Sequence, residues 1–211
     1  MGDDGDRPAS GRLRADKRAA IVAGALEVFA SDGYVRASIG AIAEASGVST
    51  RTIYKHFADK SALFDAVVAA SAGRVAEAEV ELVKRHLDGV AGAAEIEPAL
   101  VGFAVAWLRG SAESAAHRAL IGQVRAEAAH LGPDVVAAWW EAGPVRVQRA
   151  LADRLAQWSD AGWLRIDDAD RAAVHLGRLV SATPGPPGAA LPERDTWIVA
   201  GVGVFVRGYR P

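Results

Sequence analysis

Cysteine is absent, which excludes disulfides, thiolate metal sites and cysteine nucleophiles and is compatible with a reducing cytosol. Long apolar runs are also absent: none approaches the ~18–20 residues needed to span a bilayer. The longest, Trp197 to Val206, reads as part of a core helix, and no membrane association is expected. Met1 to Ser10 are polar and acidic, without the basic start and apolar stretch of a secretory signal, so a cytoplasmic location is expected. His117, His130 and His175 have no metal-ligand spacing, and residues 61 to 211 hold no paired acid–base set. We therefore expect no metal, no cofactor, no catalytic residue and no enzyme.

Net charge is small, at −2 over 211 residues, so bulk charge does not announce a nucleic-acid partner. Its distribution says more. Ser10 to Lys60 hold eight basic and five acidic residues, whereas residues 61 to 211 hold fifteen basic and eighteen acidic ones. A positive end on a neutral-to-acidic body fits a DNA-reading module attached to something else.

The apolar periodicity is helical throughout, and the fold class is all-α. Residues 1–14, polar and rich in Gly, Asp and Arg, are expected to be a disordered tail. Asp16 to Ala30 place Ile21, Ala25, Val28 and Phe29 on one face of a helix that Asp32 and Gly33 end. Short helices follow from Ser38 and Ser49, and a long one from Asp59. Further helices fit Ala99–Gly110, Ser114–His130, Pro133–Ala161 with a break at Gly143-Pro144, Asp168–Ala182 and Arg194–Tyr209. The last contains β-branched residues that also permit a strand, but the chain offers such a strand no partner. The expected domains are 15–60, a three-helix DNA-binding module, and 61–211, a helical ligand-binding and dimerisation body.

The chemistry concentrates between Ser38 and Lys60. Two short helices joined by Ser46-Gly47-Val48 can cross where contact residues are small, as Ala43 is, and where Gly47 takes a left-handed turn conformation. Ile42, Val48 and Ile53 supply the apolar wedge beneath. Thr50, Arg51, Thr52, Tyr54, Lys55 and His56 remain facing outward, and hydroxyls and cations of this kind hydrogen-bond phosphates and base edges. Ser49 caps the second short helix, Ser38 the first, and Lys60 adds charge beside them. The site expected to read DNA is thus Ser38, Ser49, Thr50, Arg51, Thr52, Tyr54, Lys55, His56 and Lys60. Tyr54 and His56 have an alternative as packing groups. Arg12, Arg14 and Arg18 either do nothing specific or add phosphate contacts.

The run Ile42-Ala43, Ala45-Ser46-Gly47-Val48-Ser49, Thr52-Ile53-Tyr54-Lys55-His56-Phe57 and Lys60-Ser61-Ala62-Leu63-Phe64 resembles the signature of the TetR family of regulators. Ala25-Leu26-Glu27-Val28-Phe29, Gly33-Tyr34 and Ser38-Ile39 fit the same pattern. Two departures stand out: Arg51 occupies a position where many members have Gly, and Gly40, which replaces a bulkier residue, should cost ~1 kcal/mol of helix propensity. Arg125 to Ala128, Leu131 to Val135, Gly143-Pro144, Gly162-Trp163-Leu164 and Val204 to Tyr209 resemble, more weakly, an AefR-like C-terminal subgroup. The resemblance implies a homodimer, a palindromic double-stranded DNA operator and a small-molecule effector bound by the C-terminal body.

Six tryptophans, among them Trp107, Trp139, Trp140 and Trp197, are many for this length. Aromatics converging between helices can line an apolar pocket or simply pack a core. An apolar or aromatic effector is expected, held by Phe103, Trp107 and Trp140 with Gln123 and Glu127 as polar anchors. The last two helices suit a dimer seam, with Ala173, Leu176, Gly177, Val180 and Ser181 as one stripe and Gly201, Gly203 and Gly208 allowing close approach. The function expected is a ligand-released repressor. The alternatives are a helical enzyme or carrier, or an activator without effector response.

Overall fold

The computed structural model describes residues 7–110, 112–126, 133–182 and 193–211. They form ten helices and no strand among the described residues. The helices are α1 (Arg7–Arg36), α2 (Ile39–Ser46), α3 (Thr50–His56), α4 (Lys60–Leu87), α5 (Ala93–Arg109), α6 (Ala112–Ala126), α7 (Pro133–Ala142), α8 (Pro144–Asp160), α9 (Ala169–Ser181) and α10 (Arg194–Gly208). No helix among the described residues is long and apolar enough to cross a membrane. Helices divide into two compact units: residues up to Val75 with Ala112–Ala142, and Ala76–Ser111 with Gly143–Pro211.

In the first unit the stripe Ile21, Val22, Ala25, Val28 and Phe29 of α1 is buried. It packs with Ile42 of α2, Ile53 of α3, Leu63, Phe64, Val67 and Val68 of α4, and Leu120, Ile121 and Val124 of α6. Phe29 and Phe64 meet edge-on at 4.9 Å. The three-helix module expected over 15–60 therefore shares its core with α6, a partner distant in sequence. Residues 7 to 14, expected in an unstructured tail, instead form the first turns of α1. Their composition disfavours nucleating a helix but not extending one already anchored by Ile21 and Ala25. Gly33, at φ 78° and ψ 174°, breaks α1 where the sequence reading stopped it.

The second unit buries Leu100 and Phe103 of α5, Leu151, Leu155 and Trp158 of α8, Leu176 and Val180 of α9, and Val202 and Phe205 of α10. Helix α5 begins at Ala93, six residues before the expected start at Ala99, and carries Pro98 within it. Proline removes one backbone hydrogen bond there, and burial of Ile96 offsets it. Gly143 and Pro144 separate α7 from α8, as expected. The segment Trp197 to Val206 is helical, so the strand alternative falls. Residues 183–192, between the helices expected over Asp168–Ala182 and Arg194–Tyr209, lie outside the described residues.

The expected dimer stripe on α9 is corrected. Ala173, Leu176 and Val180 are buried in the chain's own core. Gly201 serves the same packing: a Cβ there would lie 2.6 Å from the Leu179 carbonyl oxygen of α9. The apolar side chains left outside are Val174 on α9 and Trp197, Val199 and Val204 on α10. A helix turns its most apolar stripe to the nearest core, so only the weaker stripe remains for a partner.

Candidate nucleic-acid interface

The site is built by local hydrogen bonding. Ser38 precedes α2 with extended backbone, and its hydroxyl accepts from the Ala41 N–H at 3.1 Å. Gly47 closes α2 in the left-handed region (φ 64°, ψ 28°), and the Val48 N–H donates back to the Ala43 carbonyl at 3.0 Å. This is the glycine-closed helix end that satisfies otherwise orphaned carbonyls. Two residues later Ser49 accepts from the Thr52 N–H at 3.2 Å and opens α3. Ser49 and Thr52 also share a hydroxyl–hydroxyl bond of 2.9 Å. The turn is therefore fixed at both ends by short polar side chains and one glycine.

Burial then sorts α3 into two faces. Ile53 is 1% exposed and points into the core, with Phe57 behind it. Thr50, Arg51 and Lys55 are exposed and Tyr54 is 56% exposed, which sets aside the packing role for Tyr54. Thr52 and His56 are half-buried. Burial first, then the cations Arg14, Arg18, Lys17 and Lys55, push the His56 pKa below its ordinary 6.5. All four of these charges are positive.

Lys60 is placed differently from the other expected readers. Its ammonium donates to the carbonyls of Tyr34 (2.8 Å), Ala37 (3.0 Å) and Val35 (3.4 Å) and lies 4.6 Å from the centre of the Tyr34 ring. An ammonium has three N–H donors. All three face the chain's own carbonyls, which ties the start of α4 to the corner between α1 and α2. The Asp59 carboxylate caps α4 beside it, accepting from the Ala62 N–H at 2.8 Å.

The expected effector residues do not fall in one compact unit. Phe103 is buried in the second, with Trp107 stacked on it at 5.8 Å. Gln123, half-buried on α6, and Trp140, 45% exposed on α7, belong to the first. Glu127 lies outside the described residues. The sequence reading missed a buried polar chain in the first unit. His117 Nε2 accepts from the Trp139 indole N–H at 3.1 Å, while His117 Nδ1 and the Ser71 hydroxyl are 2.9 Å apart. Because Nε2 accepts, the neutral ring carries its proton on Nδ1 and donates it to Ser71. Burial, then Arg118, lowers the His117 pKa.

Comparison with known proteins identifies the arrangement. Residues 21–67 match the model of bacterial regulatory proteins of the tetR family, and residues 99–211 match that of the AefR-like transcriptional repressor C-terminal domain. The chain belongs to the TetR family. It is a TetR-family transcriptional regulator, with the family's N-terminal helix-turn-helix and helical C-terminal domain. It is 38% identical over 73 residues to the transcriptional repressor AcnR of Corynebacterium efficiens, covering 35% of this chain and 36% of AcnR. The match thus spans about a third of that relative's length. Over the whole fold it is similar to a TetR-family regulator from Mesorhizobium loti, with a TM-score of 0.77, 25% identity and coverage of 94% and 98% of the two chains. It is also similar to the flavonoid-responsive regulator FrrA, with a TM-score of 0.64, 28% identity and coverage of 93% and 98%. In this TetR-family chain the departing Arg51 is exposed, as Tyr54 is, on the outer part of α3.

Proposed function

We propose that the chain is a cytoplasmic repressor that binds a palindromic operator as a homodimer and releases it when a small apolar or aromatic effector binds. The observation that carries the DNA half is the sorting of α3. Ile53 is held in the core, while Thr50, Arg51, Tyr54 and Lys55 stand outside on a helix whose N-terminus is set by Ser49. A recognition helix meets the major groove through such N-terminal residues. Ser38 and Ser49 present short hydroxyls at the same end.

The homodimer reading rests on Val174, Trp197, Val199 and Val204, apolar side chains left exposed on α9 and α10. Two copies of these helices pack naturally as a four-helix bundle about a two-fold axis. The aromatic effector rests on the Phe103–Trp107 stack of the second unit and on the flavonoid response of FrrA. Effector and operator must oppose each other reciprocally: whatever factor the effector takes from DNA affinity, DNA takes from effector affinity.

Selection of bound duplexes from a random pool, with the full chain as bait, tests the reading. A two-fold symmetric consensus is expected. Arg51→Ala and Lys55→Ala should each weaken binding to it without changing the dimer. Full retention of affinity in both variants overturns the site. A compound screen for release of the selected duplex then tests the repressor reading, with an activator expected to keep its DNA. Trp197→Glu with Val204→Glu should yield monomers in sedimentation; an unchanged mass overturns the seam.

A further inference from the structure

The face of α1 that enters the core continues beyond it. Ile21, Ala25 and Val28 are buried on that face. One and two turns earlier the same face carries Arg18, Lys17 and Arg14, spaced i, i+3 and i+4, whereas Arg12 and Asp16 lie on the opposite side. Residues 11 to 20 are all exposed. The stripe therefore changes from apolar to cationic where α1 runs past its neighbours.

These cations stand beside the recognition helix. The Arg18 guanidinium lies 5.1 Å from the centre of the Phe57 ring, the residue that closes α3. Arg14, Lys17 and Arg18 act together with Lys55 on His56, the last residue of α3. No ion pair to any of the three is present among the described residues. Like charges gathered at one place repel and lower stability unless an anion meets them. A merely solvated helix face has no reason to concentrate them on the side turned toward α3.

We infer that Arg14, Lys17 and Arg18 of α1 form a second contact with the DNA phosphate backbone, continuous with Lys55 and His56 of α3. The inference rests on the DNA-reading function proposed above. Phosphate contacts position a protein and carry no sequence information. The ridge should therefore raise affinity for any duplex equally and contribute to the salt dependence of binding.

The test compares the wild type with R14Q/K17Q/R18Q, both full-length, on the selected duplex and on an unselected one over a series of salt concentrations. Each lost phosphate contact removes about 0.9 from the slope of log K against log salt, and a dimer loses three from each protomer, so the slope should fall by about 5. The ratio of the two affinities should stay as it was. Because Arg18 also covers Phe57, R14Q/K17Q is measured too, with an expected fall of about 3 to 4. K84Q/R85Q/R149Q removes the same formal charge from exposed positions of the second unit and should leave the slope unchanged. Wild-type binding with an unaltered slope in both ridge variants overturns this inference alone, as does an equal fall in the control. Failure of the wild type to bind any duplex overturns this inference together with the function it rests on.

Discussion

Replacing Gly24 with alanine tests how closely α1 and α2 approach. Gly24 is buried on α1, and a Cβ built there would lie 2.7 Å from the Ser46 nitrogen and 2.9 Å from both Ala45 C and Ser46 Cα. Ordinary contact begins at 3.4 Å, and all three atoms are backbone, so no side chain can swing aside. Two effects compete. Alanine gains about 1 kcal/mol over glycine in a helix interior. Overpacking a close contact costs about 1–3 kcal/mol, and rigid backbone on both sides places this case in the upper half of that range. The net expectation is a loss of about 1–2 kcal/mol, read as a lower urea midpoint and a melting temperature reduced by about 2–8 °C. Gly122→Ala is the control, since nothing lies within 4 Å of a Cβ there and the residue is exposed on α6. It should gain up to about 1 kcal/mol. Operator affinity of the Gly24 variant should also fall, because Ser46 leads through Gly47 into the cap of α3. A Gly24→Ala protein as stable as the Gly122→Ala protein would refute the reasoning.

Further outcomes follow from other contacts. Gly47→Ala forces a side chain into the left-handed region and should cost about 1–2 kcal/mol in urea unfolding, with the α2–α3 turn losing amide-exchange protection. Lys60→Gln should destabilise the first unit and expose the Tyr34, Val35 and Ala37 corner to exchange, yet leave the salt slope of DNA binding unchanged; a slope lowered by about 2, one contact from each protomer, would make Lys60 a phosphate contact instead. Folding lowers the His117 pKa below its ordinary 6.5, so the unfolded chain binds more protons beneath that pH. The stability contributed is complete above pH 6.5 and declines as pH falls below it. Urea midpoints measured from pH 7.5 to 5 should show the decline, and His117→Gln should flatten it; an equal decline in both proteins would assign it elsewhere.

The parts of the interface that were legible are those whose causes lie within a few residues. Ser38 and Ser49 each cap a helix three residues away, and Gly47 ends one, so spacing alone placed α2, α3 and their turn. The outward set on α3 followed from Ile53 being its one buried position. Lys60 was legible as a cation but not as a tie, because its acceptors lie 23 to 26 residues back. The Ser71–His117–Trp139 chain joins residues 46 and 22 positions apart and has no local signature.

Periodicity, caps and the dense motif between Ser38 and Phe64 determined by themselves that this chain is helical and that α3 turns a polar, cationic face outward, since helix ends and amphipathic faces are set by neighbours in sequence. Tertiary structure alone decided which of several apolar stripes were used. It turned Ala173, Leu176 and Val180 inward and left Val174, Trp197, Val199 and Val204 outside. It put Leu120, Ile121 and Val124 of α6 into the core of the N-terminal helices. It also extended α1 past that core, so that Arg14, Lys17 and Arg18 stand beside α3. Burial is a property of what a face meets, and that depends on helices far away along the chain.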